Sequence, residues 1–185
     1  GFLVKTNLTF PRDWGLGTSS TLINNIAQWA KVDAFQLLWN SFSGSGYDIA
    51  NAQYNIPILY ALKNQKPIIK KVDFLPSFSD QLFFVHLNKK QDSKDGIARF
   101  KEKRQKIHNE IQLVSEISKQ LIQEQKLSEF EKLIQEHEKI ISSIIELPTV
   151  KKRLFSDYFG TLKSLGAWGG DFMLATGNKD TPQYF

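Results

Sequence analysis

The hydrophobic period of this chain changes near residue 94, and that change limits the fold more than any other feature. Before it, residues 56–62, 67–74 and 81–87 are short apolar runs bounded by Asn, Lys, Pro and Ser, which predicts strands. After it, apolar residues recur three and four positions apart as far as residue 145, which predicts helices. Short strands followed by a helical pair indicate an α+β fold.

The helical region divides into two apolar stripes, at residues 107–121 and 130–144. Ser128 and Glu131 have the spacing of a capping box, so we expect them to separate the two helices. Each stripe is broad enough to pack against the rest of the domain. A coiled coil would need a longer unbroken heptad run.

Other segments also show the pattern of regular structure. They are a strand over residues 2–10, a helix over 22–30 with hydroxyl caps at 18–20, a helix capped by Asp33, β structure over 49–85, and strands over 162–165 and 172–176.

Composition excludes several classes of function. Without cysteine the chain has no disulfide, no thiolate nucleophile and no cysteine-bound metal. Its three histidines, His86, His108 and His137, are far apart and lack metal-ligand spacing. The net charge of +5 comes from basic residues with few interleaved aromatics, so we expect a solvated basic face and no nucleic-acid partner.

The ends of the chain and its apolar runs bear on its location. No apolar run approaches the roughly 18 residues of a membrane span, and no secretory signal is recognisable. We therefore expect no membrane association, and the absence of cysteine fits the cytoplasm. The chain starts without Met inside a strand-like pattern and stops without a closing element, so we expect a piece of a longer protein.

The first of three glycine-rich segments, residues 11–21, joins the predicted first strand to the predicted first helix. Gly15 and Gly17 permit backbone conformations and close approaches that a Cβ atom would block. The N–H groups and the dipole at the start of the helix favour an anion such as phosphate. The segment lacks the Walker lysine and the third glycine of the dinucleotide fingerprint. On its own, an ordinary turn with a hydroxyl cap is the simpler explanation.

The second segment, residues 43–50, contains Gly44, Gly46 and Asp48. A carboxylate held at the start of a rigid strand can accept a proton from a substrate hydroxyl, or orient that hydroxyl, during phosphoryl transfer. Taken alone, the second segment is explained more simply as a glycine turn in which Asp48 is a turn residue.

The third segment, residues 164–172, has three glycines within five positions, which suits either a ligand approach or a buried crossing of two chain segments.

Taken in order, the three segments resemble the signature of the GHMP kinases. The family pattern is Pro-x-x-x-Gly-Leu-Gly-Ser-Ser, a Gly-rich turn that ends in Asp, and a late Gly-x-Gly-Gly loop. Here these correspond to residues 11–19, 44–48 and 166–170. Residues 46–50, Gly-Tyr-Asp-Ile-Ala, look closest to the bacterial GHMP kinases named for that motif, in the mevalonate-pathway branch.

The resemblance implies a two-lobed α+β fold with a left-handed β-α-β crossover around the phosphate loop. The N-terminal lobe would resemble domain 2 of ribosomal protein S5, and the C-terminal lobe would be ferredoxin-like. We expect residues 1–62 to be the remainder of the ATP-binding N-terminal lobe and residues 63–185 to be the C-terminal lobe. The family's first motif is not in this chain, which again indicates a missing N-terminal part.

The resemblance also implies roles for individual residues. Asp48 corresponds to the catalytic aspartate, and Ser19 to the serine that ligates Mg²⁺. The residues that would bind or surround the phosphates of ATP are Gly15, Leu16, Gly17, Thr18, Ser19, Ser20, Gly166, Ala167, Gly169 and Gly170. Arg12 and Lys163 are local candidates for a basic residue near the transferred group.

Several residues depart from the family pattern. In the phosphate loop, Thr18 replaces the usual first serine, and Ser20 and Thr21 replace the usual alanines. Leu37 stands where mevalonate kinases often carry a glutamate that is a second magnesium ligand. Trp168 and Asp171 are bulky and acidic in a loop that is usually small.

The resemblance therefore implies a kinase that uses ATP and Mg²⁺ to phosphorylate a small acidic alcohol or phosphate, with mevalonate preferred and phosphomevalonate close behind. A nucleotide- or metabolite-binding relative without catalysis is the first alternative, and Leu37 and Trp168 favour it. A helical interaction protein that binds no nucleotide is the second, and it rests on the stripes at 107–145. A homodimer is left open.

Overall fold

The computed structural model of the chain describes residues 1–88, 98, 100–102, 107–166, 168 and 171–185. The chain packs as two compact units. We call Leu16–Phe74 the inserted unit, and Gly1–Gly15 together with Leu75–Phe185 the flanking unit. The lobes expected over residues 1–62 and 63–185 are not tested by this division and stay a prediction.

The inserted unit consists of three helices and a β-hairpin. Its elements are α1 (Thr18–Ala30), α2 (Ala34–Ser41), α3 (Tyr47–Ala52), β1 (Ile58–Lys63) and β2 (Lys66–Lys71). All three helices contribute to its core, which contains Ile23, Ala27, Ala34, Phe35, Leu38, Ile49 and Ala50. The strands are antiparallel. The connecting Asn64 and Gln65 both have positive φ, which is the geometry of tight hairpin turns.

A side-chain cap explains where α2 begins, and core packing explains why residues 49 and 50 belong to α3. The Asp33 carboxylate accepts a hydrogen bond from the Gln36 N–H at 2.8 Å, so the predicted cap of α2 is confirmed. Such a cap contributes about 1 kcal/mol. The β structure expected from residue 49 begins only at Ile58. Ile49 and Ala50 belong instead to α3, where both are fully buried in the core.

The flanking unit contains a three-stranded antiparallel sheet with β5 in the middle. The strands are β3 (Leu82–His86), β4 (Leu162–Ser164) and β5 (Phe172–Thr176). Its described helices include α4 (His108–Leu121), α5 (Leu127–Ile145), α6 (Val150–Leu154) and α7 (Thr181–Tyr184). The predicted late strands and the predicted helical pair are therefore confirmed.

Two apolar clusters hold the flanking unit together. The first lies where α6 and the sheet meet, and its buried members are Val150, Tyr158, Leu162, Met173 and Ala175. The second joins the end of α5 to the late loop, and its buried members are Ile107, Ile144, Ile145 and Trp168. Helices α5 and α6 both pack against β4.

The capping box predicted at Ser128 and Glu131 is wrong. The N-cap of helix α5 is Lys126, two residues before Ser128, and it makes no side-chain capping bond. The chain turns between the two helices through Glu124, whose carboxylate accepts hydrogen bonds from the N–H groups of Gln125 and Lys126, both at 2.8 Å.

The N-terminal strand is also wrong, since residues 1–8 form neither strand nor helix. Phe2 and Leu3 are 88% and 84% exposed. An alternating pattern gives a stable strand only where neighbouring strands pair with it. The two sheets contain no segment from this end of the chain. Within the described ranges, every helix is too short or too polar to cross a lipid bilayer.

Candidate functional site

The backbone leaves open space at the start of α1. Gly17 is the N-cap of this helix with φ of 68°, and a Cβ atom on it would have no heavy atom within 4 Å. The Thr21 N–H donates to the Gly17 carbonyl at 3.0 Å. The N–H groups of residues 18–20 precede this first helical bond, so they have no acceptor inside the helix. These donors and the helix dipole suit a phosphate group.

The hydroxyl groups at residues 18–20 do not cap α1, contrary to the expectation. The helix begins at Thr18, and the Thr21 hydroxyl donates back to the Gly17 carbonyl at 3.1 Å. Ser19 is exposed, whereas Thr18 and Ser20 are half-buried. The Ser19 hydroxyl is thus accessible to a ligand, and its role with magnesium stays a prediction.

Asp48 lies in the first turn of a helix and not at the start of a strand. Gly46, the N-cap of α3, has φ of 84°. A Cβ atom on Gly46 would lie 2.9 Å from Cδ1 of Phe35, so a larger residue would force a shift. The Tyr60 hydroxyl donates to the Ser45 carbonyl and ties this turn to the hairpin. The turn that orients Asp48 is therefore fixed from two sides.

The Asp48 side chain is exposed, although neighbouring atoms displace part of the water around its carboxyl group. This desolvation raises the pKa of Asp48, and the Tyr47 hydroxyl opposes it by a smaller amount. A carboxylate with a raised pKa binds a proton more strongly, which suits a general base.

Polar contacts as well as core packing join α1 to α3. Asn24 of α1 is buried, and its amide donates to the Ala52 carbonyl at 3.5 Å. The Asn24 carbonyl oxygen accepts a hydrogen bond from the Gln53 amide at 3.2 Å. Removing one partner of such a buried bond is costly. The helix after the phosphate loop and the helix that carries Asp48 therefore belong to one packed body.

Of the third glycine-rich segment, Ala167, Gly169 and Gly170 lie outside the described residues. Gly166 has φ of 66°, and a Cβ atom on it would meet no heavy atom within 4 Å. Trp168 is 9% exposed and packs in the apolar cluster at the end of α5. Its size therefore serves the core of the flanking unit, which accounts for this departure from the family pattern.

Within the flanking unit, the chain before the phosphate loop packs against the end of the late loop. The Asp171 carboxyl group occupies the space beside Gly15, where a Cβ atom would overlap it. The Trp14 ring lies 5.6 Å from the ring of His86 and 6.4 Å from that of Phe172, between centroids. This contact was not predicted from the sequence, in which the unusual acid at Asp171 was the signal for it.

A second group of titratable residues, also missed from the sequence, lies where α5 meets β4. Glu138 Oε1 is 3.8 Å from Lys163 Nζ, and Oε2 accepts a hydrogen bond from the Ser164 hydroxyl at 3.4 Å. Burial raises the pKa of Glu138 and lowers the pKa of Lys163. Burial and the Lys163 charge together lower the pKa of His137 to about 4. Lys163 thus already has partners within the protein.

The described residues include no group of three or more His, Asp or Glu side chains arranged to hold a metal ion. Leu37, at the position of the family's glutamate, packs against the core of the inserted unit. Position 37 therefore supplies no carboxylate to a metal ion, and the magnesium role of Ser19 stays a prediction.

Two solved structures are similar to this chain. A Lin0012 protein from Listeria innocua is 18% identical with a TM-score of 0.67, over 92% of this chain and 62% of that one. The L. major mevalonate kinase, solved in complex with R-mevalonate, is 17% identical with a TM-score of 0.58, over 90% and 59%. The chain thus spans about three fifths of the length of each of these two proteins. No protein-family model and no curated protein matches the sequence.

At these identities the likeness shows the fold alone. The chain has a mixed α/β fold similar to that of a mevalonate kinase, which is a GHMP kinase. This confirms the broad prediction of fold. The S5-like and ferredoxin-like lobes stay predictions, as do the roles of the site residues.

Proposed function

We propose that this chain is part of an ATP-dependent phosphotransferase whose preferred acceptor is mevalonate, with phosphomevalonate as the alternative. One observation carries the proposal. The motif that resembles the family's phosphate loop lies at the open start of α1, and α1 packs against the helix that begins beside Asp48. The fold similarity to a mevalonate kinase supports it independently.

In this proposal the phosphate loop acts through its backbone. Gly15, Leu16 and Gly17 would wrap the phosphates of ATP, and the N–H groups of residues 18–20 would donate to phosphate oxygens. The open space at Gly17 allows a phosphate to approach the helix start closely. The Ser19 hydroxyl would be a ligand of magnesium. Thr18 and Ser20 are its neighbours in the sequence. Magnesium bound with ATP would neutralise phosphate charge.

Asp48 would accept the proton of the attacking hydroxyl group, or orient that group. Phosphoryl transfer depends mainly on positioning and charge stabilisation, so a fixed carboxylate contributes by holding the nucleophile. The Gly46 turn supplies the rigidity, and the raised pKa of Asp48 supplies the proton affinity.

The test is ADP release by the full-length protein that contains this chain, with mevalonate, phosphomevalonate and homoserine assayed in parallel. Asp48→Asn keeps the size of the side chain, so we expect unchanged ATP affinity and a loss of turnover of about 100-fold or more. Asp33→Asn is the matched control, because Asn also caps a helix and turnover should stay near normal. Near-normal turnover of Asp48→Asn would exclude the proposed role.

A nucleotide- or metabolite-binding relative without catalysis is the second candidate. Leu37 still favours it, because this apolar residue packs in the core and supplies no magnesium ligand. Trp168 no longer does, since its bulk is buried in the flanking unit. Such a protein would bind ATP without turnover that depends on Asp48. In both cases Gly17→Val should abolish ATP binding, because its side chain would fill the space before α1.

A further inference from the structure

A cavity of about 480 Å³ lies in the flanking unit, between α5, α6 and the start of β4. Small-molecule sites have volumes of about 300–1,000 Å³, so the cavity can hold a small metabolite. The lining residues that matter here are Glu138, Lys139, Lys151, Lys152, Thr161 and Leu162. The cavity shares no lining residue with the phosphate loop or the Asp48 turn.

Three lysines make the cavity positive. Lys139 and Lys152 are exposed, and neither forms an ion pair with any residue of the described ranges. Lys151 donates one hydrogen bond to the Gly160 carbonyl at 2.6 Å, which fixes its ammonium group at the wall. That group has two further N–H donors. The lining contains three lysines and, among its residues, a single carboxylate, that of Glu138, so the cavity favours an anion.

The carboxylate of Glu138 does not cancel this charge. The residue is 2% exposed, and its buried Oε1 atom is paired with Lys163 Nζ at 3.8 Å. Its Oε2 atom accepts a hydrogen bond from the Ser164 hydroxyl at 3.4 Å. Neither Lys163 nor Ser164 lines the cavity, so the carboxylate is already balanced from the protein side. The positive charge of the lining lysines is therefore left for a ligand to balance, and Leu162 offers that ligand an apolar contact.

We propose that this cavity binds a small phosphate ester. The phosphate oxygens accept hydrogen bonds from Lys139, Lys151 and Lys152, and Leu162 contacts the carbon skeleton. A doubly charged phosphate matches three ammonium groups better than a single carboxylate does.

The experiment is isothermal titration calorimetry of the whole chain with glycerol 3-phosphate. An ionic strength of about 0.15 M screens unspecific attraction to exposed lysines. We expect saturable binding of one molecule. Inorganic phosphate lacks the carbon skeleton and glycerol lacks the phosphate, so each should bind about tenfold more weakly or worse.

Single variants locate the site. Lys139→Ala and Lys152→Ala remove exposed side chains, so the fold is preserved, and each should weaken binding about fivefold or more. Lys132→Ala removes an exposed lysine of the same helix that does not line the cavity, and it should have no effect. Gly17→Ala, a change in the phosphate loop, should not affect the binding of glycerol 3-phosphate either.

Three results would overturn the proposal. One is the absence of saturable binding. Another is an equal loss in Lys132→Ala, which would show unspecific attraction to a basic surface. The third is a loss in Gly17→Ala with none in Lys139→Ala, which would put the probe at the phosphate loop. The titration contains no ATP, so its outcome does not depend on whether the chain is a kinase.

Discussion

Replacing Gly46 with alanine should destabilise the protein by about 2–5 kcal/mol, from two separate causes. Gly46 has φ of 84°, and this left-handed region costs a residue with a Cβ atom about 1–2 kcal/mol. The new Cβ would also lie 2.9 and 3.1 Å from two ring carbons of Phe35 and 3.3 Å from the Tyr60 hydroxyl. Because Phe35 is a core residue, we add about 1–3 kcal/mol for overpacking.

Gly17→Ala separates the two causes. Gly17 has φ of 68° but no heavy atom within 4 Å of a Cβ position, so this variant bears only the backbone cost of about 1–2 kcal/mol. The free energy of unfolding is measured by urea titration of both variants and the parent, followed by circular dichroism. Equal losses in the two variants would show that Phe35 and Tyr60 give way and that the proposed overlap costs nothing.

Two further changes test the flanking unit. Tyr158→Phe removes a buried hydroxyl that donates to the Thr176 carbonyl at 2.8 Å and accepts from the Thr181 hydroxyl at 3.0 Å. We expect a loss of about 1–3 kcal/mol in the same urea titration, and an unchanged midpoint would contradict this. The pKa of His137 falls from 6.5 to about 4 on folding, so its contribution to stability is complete above pH 6.5 and is lost as the pH falls towards 4. The His137→Gln side chain can still accept a hydrogen bond from Lys163 but does not titrate. The free energy of unfolding of this variant should therefore fall less steeply than that of the parent between pH 6.5 and 4. Parallel curves of stability against pH would show that His137 does not have the lowered pKa.

The elements predicted correctly are those in which one local pattern leaves few alternatives. Helices α4 and α5 follow from long apolar stripes, and the start of α2 follows from Asp33 alone. Ile49 and Ala50 were misassigned because a short apolar pair suits a strand as well as a helix. Their burial against α1 decides between the two, and that contact is not visible in the sequence.

The features of the candidate site likewise include some that a local pattern predicts and others that depend on tertiary contacts. Gly17, Gly46 and Gly166 all have positive φ, which glycine-rich segments predict because other residues adopt it at a cost. The contact of Asp171 with Gly15 joins segments far apart in the chain. Neither residue type nor spacing carries that information, so only the folded structure shows it. The same is true of the Glu138 pair with Lys163.

The division of the chain into units has a consequence for its biosynthesis. Leu16–Phe74 is one continuous stretch, whereas the flanking unit is built from segments on both sides of it. Domains generally fold as units, from the N-terminus onwards, while the chain emerges from the ribosome. The inserted unit is complete in sequence once Phe74 has emerged. Trp14, although made earlier, must wait for His86 and Phe172, so this ring becomes fixed only after the whole inserted unit has been synthesised.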